Sequence, residues 1–321
     1  MKALLVLALL AAPALAQDGA VIYRHGAGLE ARLGRADGPR LPPGRLTCAG
    51  CHGADGQGGA EGGTLPAPPV AWSHLAAPAP DRPGYDEAAF IRLLREGITP
   101  SGRAISTRMP RFAGTPEAFA ALLDHLRALD QAERQGLGPT AVAVALPRDP
   151  DARDAALAAM AAFNAEGGAF GRRAAPGEPA FLDLDRVAAA LVPRLAAAER
   201  ARLDRLLRDE PGLRPLTPDA PPPGPLRVAG TLDQIGPRLP ALLARPGVEA
   251  VAVGPSAEAM LWALREKRDV AAAHAYAAVR VALDMLRDEG RMPTRSGLAR
   301  RLSAADLSDA VEVYRQEAPA D

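Results

Sequence analysis

The run TCAGCHGADGQGG, Thr47 to Gly59, constrains this chain more than any other, because it holds the only two cysteines, Cys48 and Cys51, followed at once by His52. Three chemistries use two thiols at that spacing: a dithiol–disulfide redox pair, half of a zinc site, and covalent attachment of haem, in which the adjacent imidazole binds iron. A structural zinc needs a second pair of nitrogen or sulfur ligands at similar spacing, and there is no further cysteine to supply it. A thioredoxin-like pair belongs where a strand enters a helix within a βαβ unit. Here the upstream run ARLGRADGPRLPPGRL reads as loop, and the downstream run GADGQGGAEGG is too rich in glycine to open a long helix. Haem attachment accounts for all three residues together, so one covalently held haem c is expected on Cys48, Cys51 and His52.

The amino terminus, MKALLVLALLAAPALAQ, bears on the compartment. Lys2 is a short basic segment, Ala3 to Ala12 an apolar one, and Ala14-Leu15-Ala16 a cleavage signal before Gln17, so residues 1–16 read as a signal peptide, the alternative being an uncleaved anchor. The apolar run is too short to cross a bilayer, and no later segment is apolar enough to span one. The mature chain is therefore expected in the periplasm, where bacterial c-type haem is attached. Acidic and basic residues balance, and arginine almost wholly replaces lysine, with only Lys2 and Lys267 present. No basic cluster interleaved with aromatics argues for nucleic acid.

The length suggests two domains. Glycine and proline punctuate irregular sequence before residue 130, whereas apolar runs alternate with helical patterns after 140. We place a first domain at 17–130, a linker at 131–139 and a second domain at 140–321. In the first, DEAAFIRLLREG predicts a helix over Asp86 to Gly97, ended by glycine. TPEAFAALLDHLRALD predicts another, with Thr115 as cap, Pro116 at the first position, and Phe119, Leu122, Leu123, Leu126 and Leu129 on its apolar face. Between them ISTRMPRFAG puts Met109 in a loop stiffened by Pro110. That methionine is either core filling or a thioether able to reach the iron face opposite His52. His25, His74 and His125 compete for the same role or are ordinary surface and core imidazoles.

CAGCH, MPRF and the closing helix together resemble the class I c-type cytochromes over about residues 18–130. The resemblance implies an all-α fold, thioether links at Cys48 and Cys51, axial ligands His52 and Met109, and a first helix in DGAVIYRHG packed on the Thr115–Leu129 helix. It also implies that a proline-containing loop, here APAPPVAW, accepts the free N–H of His52 at Pro68 or Pro69. Compact members run from the first helix almost directly into the CxxCH, whereas here a long insertion separates Tyr23 from Cys48. Arg108 and Arg111 flank Met109 as candidate partners of haem propionates or as solvated surface residues.

In the second domain, Ala141–Leu146, LRVAG (226–230) and VEAVAVG (248–254) read as buried strands, and a helix ends at Asn164. LDQIGPRLPALLA and SAEAMLWALREK read as crossover helices, so an α/β domain with a parallel sheet is expected. The end, AAAHAYAAVRVALDMLRDEG and TRSGLARRLSAADLSDAVEVYR, reads as helical. FNAEGGAFGRR, together with the closing helices, resembles the first lobe of periplasmic binding proteins for branched-chain amino acids, but the chain has room for only about one shortened lobe. No ligand-binding residue is carried over from that family.

These readings imply a non-enzymatic electron carrier, passing single electrons between a periplasmic dehydrogenase and a respiratory acceptor or terminal oxidase chain, with a carboxy-terminal docking domain. The alternative is a solute-sensing or solute-binding module coupled to a haem domain. A haem enzyme with an open distal site fits less well, because Met109 sits on a stiffened loop and no distal acid–base set accompanies it.

Overall fold

The computed structural model describes residues 18–59, 66–217 and 226–319, which fall into two compact units dividing between Glu133 and Arg134. The expected signal peptide lies outside the described residues, as does most of the proline-rich run from Pro215 to Leu226. Among the described residues, no helix is long and apolar enough to cross a membrane.

The first unit is mostly helical. Helix α1 (Gly19–His25) starts where Asp18 accepts a hydrogen bond from the Ala20 N–H and stops at Gly26, which is left-handed. Strand β1 (Glu30–Arg32), α2 (Cys48–His52), α3 (Trp72–Ala76), α4 (Glu87–Glu96), β2 (Arg111–Ala113) and α5 (Pro116–Arg134) follow. Asp86 caps α4, and a left-handed Gly97 ends it, the ending the sequence predicts. The apolar face of α5 is buried against Ile22, Tyr23, Phe90 and Leu94. A Cβ on Gly19 would lie 1.9 Å from the carbonyl oxygen of Ala121, so α1 and α5 meet backbone to backbone and only glycine fits at their contact. Tyr23 packs its ring on His125 at 5.3 Å. The insertion between Tyr23 and Cys48 does not disturb this contact. It supplies β1, which pairs antiparallel with β2 immediately after the Met109 loop.

The second unit is α/β. A three-stranded parallel sheet sets β3 (Ala141–Ala145) between β4 (Arg173–Pro176) and β5 (Leu182–Asp183). A four-stranded sheet runs β6 (Leu213–Pro215), β7 (Leu226–Thr231), β8 (Val248–Pro255) and β9 (Val311–Glu317), with only β9 antiparallel. The helices are α6 (Pro150–Ala165), α7 (Leu184–Asp209), the short α8 (Leu232–Ile235) and α9 (Leu239–Leu243), α10 (Ala257–Arg265), α11 (Val270–Glu289) and α12 (Arg295–Ala304). Helix α11 is buried nearly all round because alanines line it, letting α6, α7, α10 and α12 approach closely.

Two sequence expectations change here, and one helix carries no clear sequence signal. The parallel strands form two sheets, not one. Helix α7 holds Pro193 inside it, a breaker by sequence. The carboxy-terminal run is not helical throughout, because VEVYRQE leaves the helix and covers the edge of β8 as β9. Alternating, β-branched sequence suits that place, since an open edge beside the buried β8 would leave backbone groups unpaired. Four charges tie the surface of this sheet together: Arg227 and Arg315 each pair with both Glu210 and Glu249.

A buried pair joins α7 to α11. His274 Nδ1 donates to the carbonyl of Val270 at 2.9 Å, and Nε2 lies 2.7 Å from Glu199 Oε1. Because Nδ1 faces a carbonyl, a hydrogen bond to an ionised Glu199 requires a second proton on the ring. Burial opposes that charge, but the hydrogen bond and charge of Glu199 outweigh it, and the pKa of His274 rises above its ordinary value. A raised folded-state value gives stability that is complete below the ordinary histidine range and is lost as pH rises through the folded value. The urea midpoint of the second unit should therefore fall as pH is raised above about 6.5. Glu199→Gln, whose amide can donate to a neutral Nε2, should flatten that dependence. An unchanged slope in the variant would refute the assignment.

Candidate haem-binding site

The site is built on one short helix. Thr47 caps α2 by accepting from the Gly50 N–H at 3.0 Å, which fixes the turn carrying Cys48, Cys51 and His52. Cys48 and Cys51 stand three residues apart on a helix and so share a face. Both are free thiols and half-buried. Burial, with Cys51 nearby adding to it, pushes the Cys48 thiol up to about 11, so it stays protonated at neutral pH.

His52 is buried, and its Nδ1 lies 2.8 Å from the carbonyl oxygen of Pro68. A carbonyl only accepts, so Nδ1 carries the hydrogen and Nε2 presents its lone pair. Burial lowers the pKa of His52 against the opposing effect of that hydrogen bond. The neutral ring, the form that binds a metal, is thus favoured. Of the two prolines singled out in the sequence, it is Pro68 whose carbonyl meets the ring.

The glycine-rich run after His52 explains how Pro68 gets there. Gly58 N–H donates to the His52 carbonyl at 2.8 Å, and Gly59 and Ala67 exchange backbone hydrogen bonds. The carbonyl of Gly56 accepts from both Val70 and Ala71. Gly58 has φ +86°, and a Cβ there would lie 2.6 Å from the Ala67 carbonyl oxygen. Glycine is required for this close approach, which brings the Ala67–Pro68 segment to the imidazole. Tyr23 adds a brace, donating its hydroxyl to the Gly53 carbonyl at 2.7 Å.

Met109 comes from a separate segment. It is half-buried and packs on the apolar cluster that Cys48, Ala49 and Ile105 also border. Arg111 departs from one of its two sequence expectations. It is only 4% exposed, so it is not a solvated surface residue, and its guanidinium donates to the Met109 carbonyl. Arg108 stays exposed. His25 is exposed at the end of α1, His74 lies half-buried in α3, and His125 packs on Tyr23.

The donor set fits a covalently held haem: two free thiols on one helical face, an imidazole fixed at Nδ1, and a thioether on a distinct loop. Among the described residues, no group of three or more His, Cys, Asp and Glu side chains is placed to hold a bare metal ion. Residues 38–130 match the family model for cytochrome c. That segment is a class I cytochrome c domain, mostly α, and it is followed by an α/β region containing a parallel sheet. No curated protein and no solved structure matches the chain.

Proposed function

We propose that this protein is a periplasmic mono-haem cytochrome that passes single electrons from a dehydrogenase-type donor to a respiratory acceptor. Cys48 and Cys51 hold the haem through thioether bonds, His52 binds iron through Nε2, and Met109 supplies the sixth ligand. The observation that carries this reading is the 2.8 Å contact between His52 Nδ1 and the Pro68 carbonyl, which leaves Nε2 as the coordinating nitrogen. A haem so held supplies a one-electron iron couple. The protein excludes water with the buried faces of α1, α4 and α5 and stiffens both ligand segments. Small structural change on electron transfer follows from that stiffness. A reduced-minus-oxidised spectrum of the purified full-length protein tests the reading. A reversible low-spin haem spectrum is expected, and a protein that purifies without extraction-resistant haem would refute it.

Residues 1–16 direct export, 17–130 form the haem domain, 131–139 the linker, and 140–321 a shortened lobe like that of periplasmic binding proteins. The second domain docks a redox partner and does not bind a solute. A zwitterion stripped of water needs hydrogen bonds on nearly all its polar atoms, and one lobe leaves many unpaired. The groove at the carboxyl ends of β3 and β5, of about 770 Å³, is where a solute would sit in a parallel sheet. Arg194 and Arg295 in its wall are committed to backbone carbonyls, those of Leu302 and Ala305 and those of Gln135 and Ala180. Calorimetric titration with leucine is expected to show no heat of binding. Micromolar binding would favour the solute-sensing alternative.

A further inference from the structure

We propose that Arg111 is a positioning residue that holds Met109 within reach of the iron by clamping the ligand loop, residues 105–110, at both ends. The proposal rests on Met109 being the sixth ligand. Arg111 opens β2, one residue beyond Pro110, and its register partner in β1 is Arg32. From there its Nη1 donates to the Met109 carbonyl at 2.5 Å and approaches the Pro110 carbonyl at 3.5 Å, while Nη2 approaches the Ile105 carbonyl at 3.5 Å. One planar group therefore spans the start and the end of the loop. Only the fork of arginine presents rigid donors in two directions at once, whereas an ammonium is a single point charge on a flexible stem.

The surroundings are shaped for this guanidinium. A Cβ on Gly97 would lie 2.2 Å from Arg111 Cζ, so the absent side chain is the space the guanidinium occupies. The carbonyl of Gly97 also accepts from the Ile105 N–H at 2.9 Å, which ties the same end of the loop to α4. Among the described residues, no carboxylate pairs with Arg111. Burying a guanidinium away from water is unfavourable, and the carbonyls of Met109, Pro110 and Ile105 offset part of that cost. What the burial achieves is a fixed loop. Fixing matters because a neutral thioether competes with exogenous ligands only as well as its segment is held ready.

The test uses the full-length haem-loaded protein with Arg111→Lys, Arg111→Met and, in parallel, Met109→Ala. Two quantities are read: the rate of carbon monoxide binding to the ferrous protein, and the thioether-to-iron charge-transfer band of the ferric protein. Both arginine variants should bind carbon monoxide about tenfold faster or more and show a weakened band. Rates within about twofold of wild type in both would overturn the proposal. A change confined to Arg111→Met, which alone loses the charge, would overturn it too, since the residue would then act by charge and not by position. If Arg111→Met fails to take up haem, Arg111→Lys decides alone, because it keeps the charge and the packed stem. If Met109→Ala itself binds carbon monoxide no faster than wild type, the axial assignment fails and the proposal falls with it. The Met109→Ala arm thus separates failure of the ligand assignment from failure of the clamp alone.

Discussion

Replacing Cys48 and Cys51 together with alanine should abolish covalently bound haem. Each thiol S–H would add across a haem vinyl double bond, the sulfur taking one carbon and the hydrogen the other, with no net oxidation. Both thiols are free and share one face of α2, so a single haem edge can meet the two. Alanine is the best helix former and preserves the turn capped by Thr47, and the His52 contact with Pro68 involves neither cysteine. The double variant should therefore lose the bonds to haem and keep the imidazole in place. Acid–acetone extraction followed by haem quantification should find none left on the variant and a full complement on the wild type. Each single variant should retain one thioether and show a shifted reduced spectrum.

Met109→Ala should open the iron on the face opposite His52. Truncation removes the sulfur but leaves the loop backbone, whose carbonyls still meet Arg111. Loss of a thioether, which favours ferrous iron, should lower the reduction potential. Carbon monoxide should bind the ferrous variant faster by about tenfold or more, equivalent to at least about 1.4 kcal/mol removed from the barrier. If the low-spin spectrum and the potential stay at their wild-type values, another side chain is the ligand, and His74 on α3 is the first to examine by substitution.

The legible part of this protein is the part whose chemistry is local. CxxCH is a single helical turn, so its meaning survives without tertiary context. The caps at Asp86, Gly97 and Thr115 are equally local, and the helices they delimit fall where the residues place them. The resemblance to class I cytochromes narrows the partner of His52 to Pro68 or Pro69, and only the backbone pairing of Gly59 with Ala67 fixes which carbonyl meets the ring. The burial of Arg111 is not legible, for the opposite reason. An arginine beside a loop methionine reads as a propionate partner or a solvated surface residue, and only the missing Cβ of Gly97, a loop away in sequence, makes a buried berth for it. Helix α7 shows leucine and valine at helical spacing, at Leu184, Val187, Leu191 and Leu195, but Pro193 interrupts the pattern as a breaker. Strand β9 depends on a partner, β8, about sixty residues earlier, and a short alternating run next to helical sequence carries no sign of that pairing.

Helix α11 has a consequence for how the second unit can change over evolutionary time. Most helices offer a solvent-facing stripe on which substitutions accumulate harmlessly, but α11 buries Ala272, Ala273, Ala275, Ala277, Ala278 and Ala282 on different sides at once. A larger side chain there meets a neighbouring helix in whichever direction it points, and overpacking of that kind costs about 1–3 kcal/mol per site. The centre of this unit is therefore frozen in size, and its capacity to acquire new surfaces lies with the elements around the axle: the outward leucines of α10, Leu261 and Leu264, and the exposed residues of β6 and β9. Two homologues of this chain with different partners would be expected to share α11 almost letter for letter and to diverge at its rim.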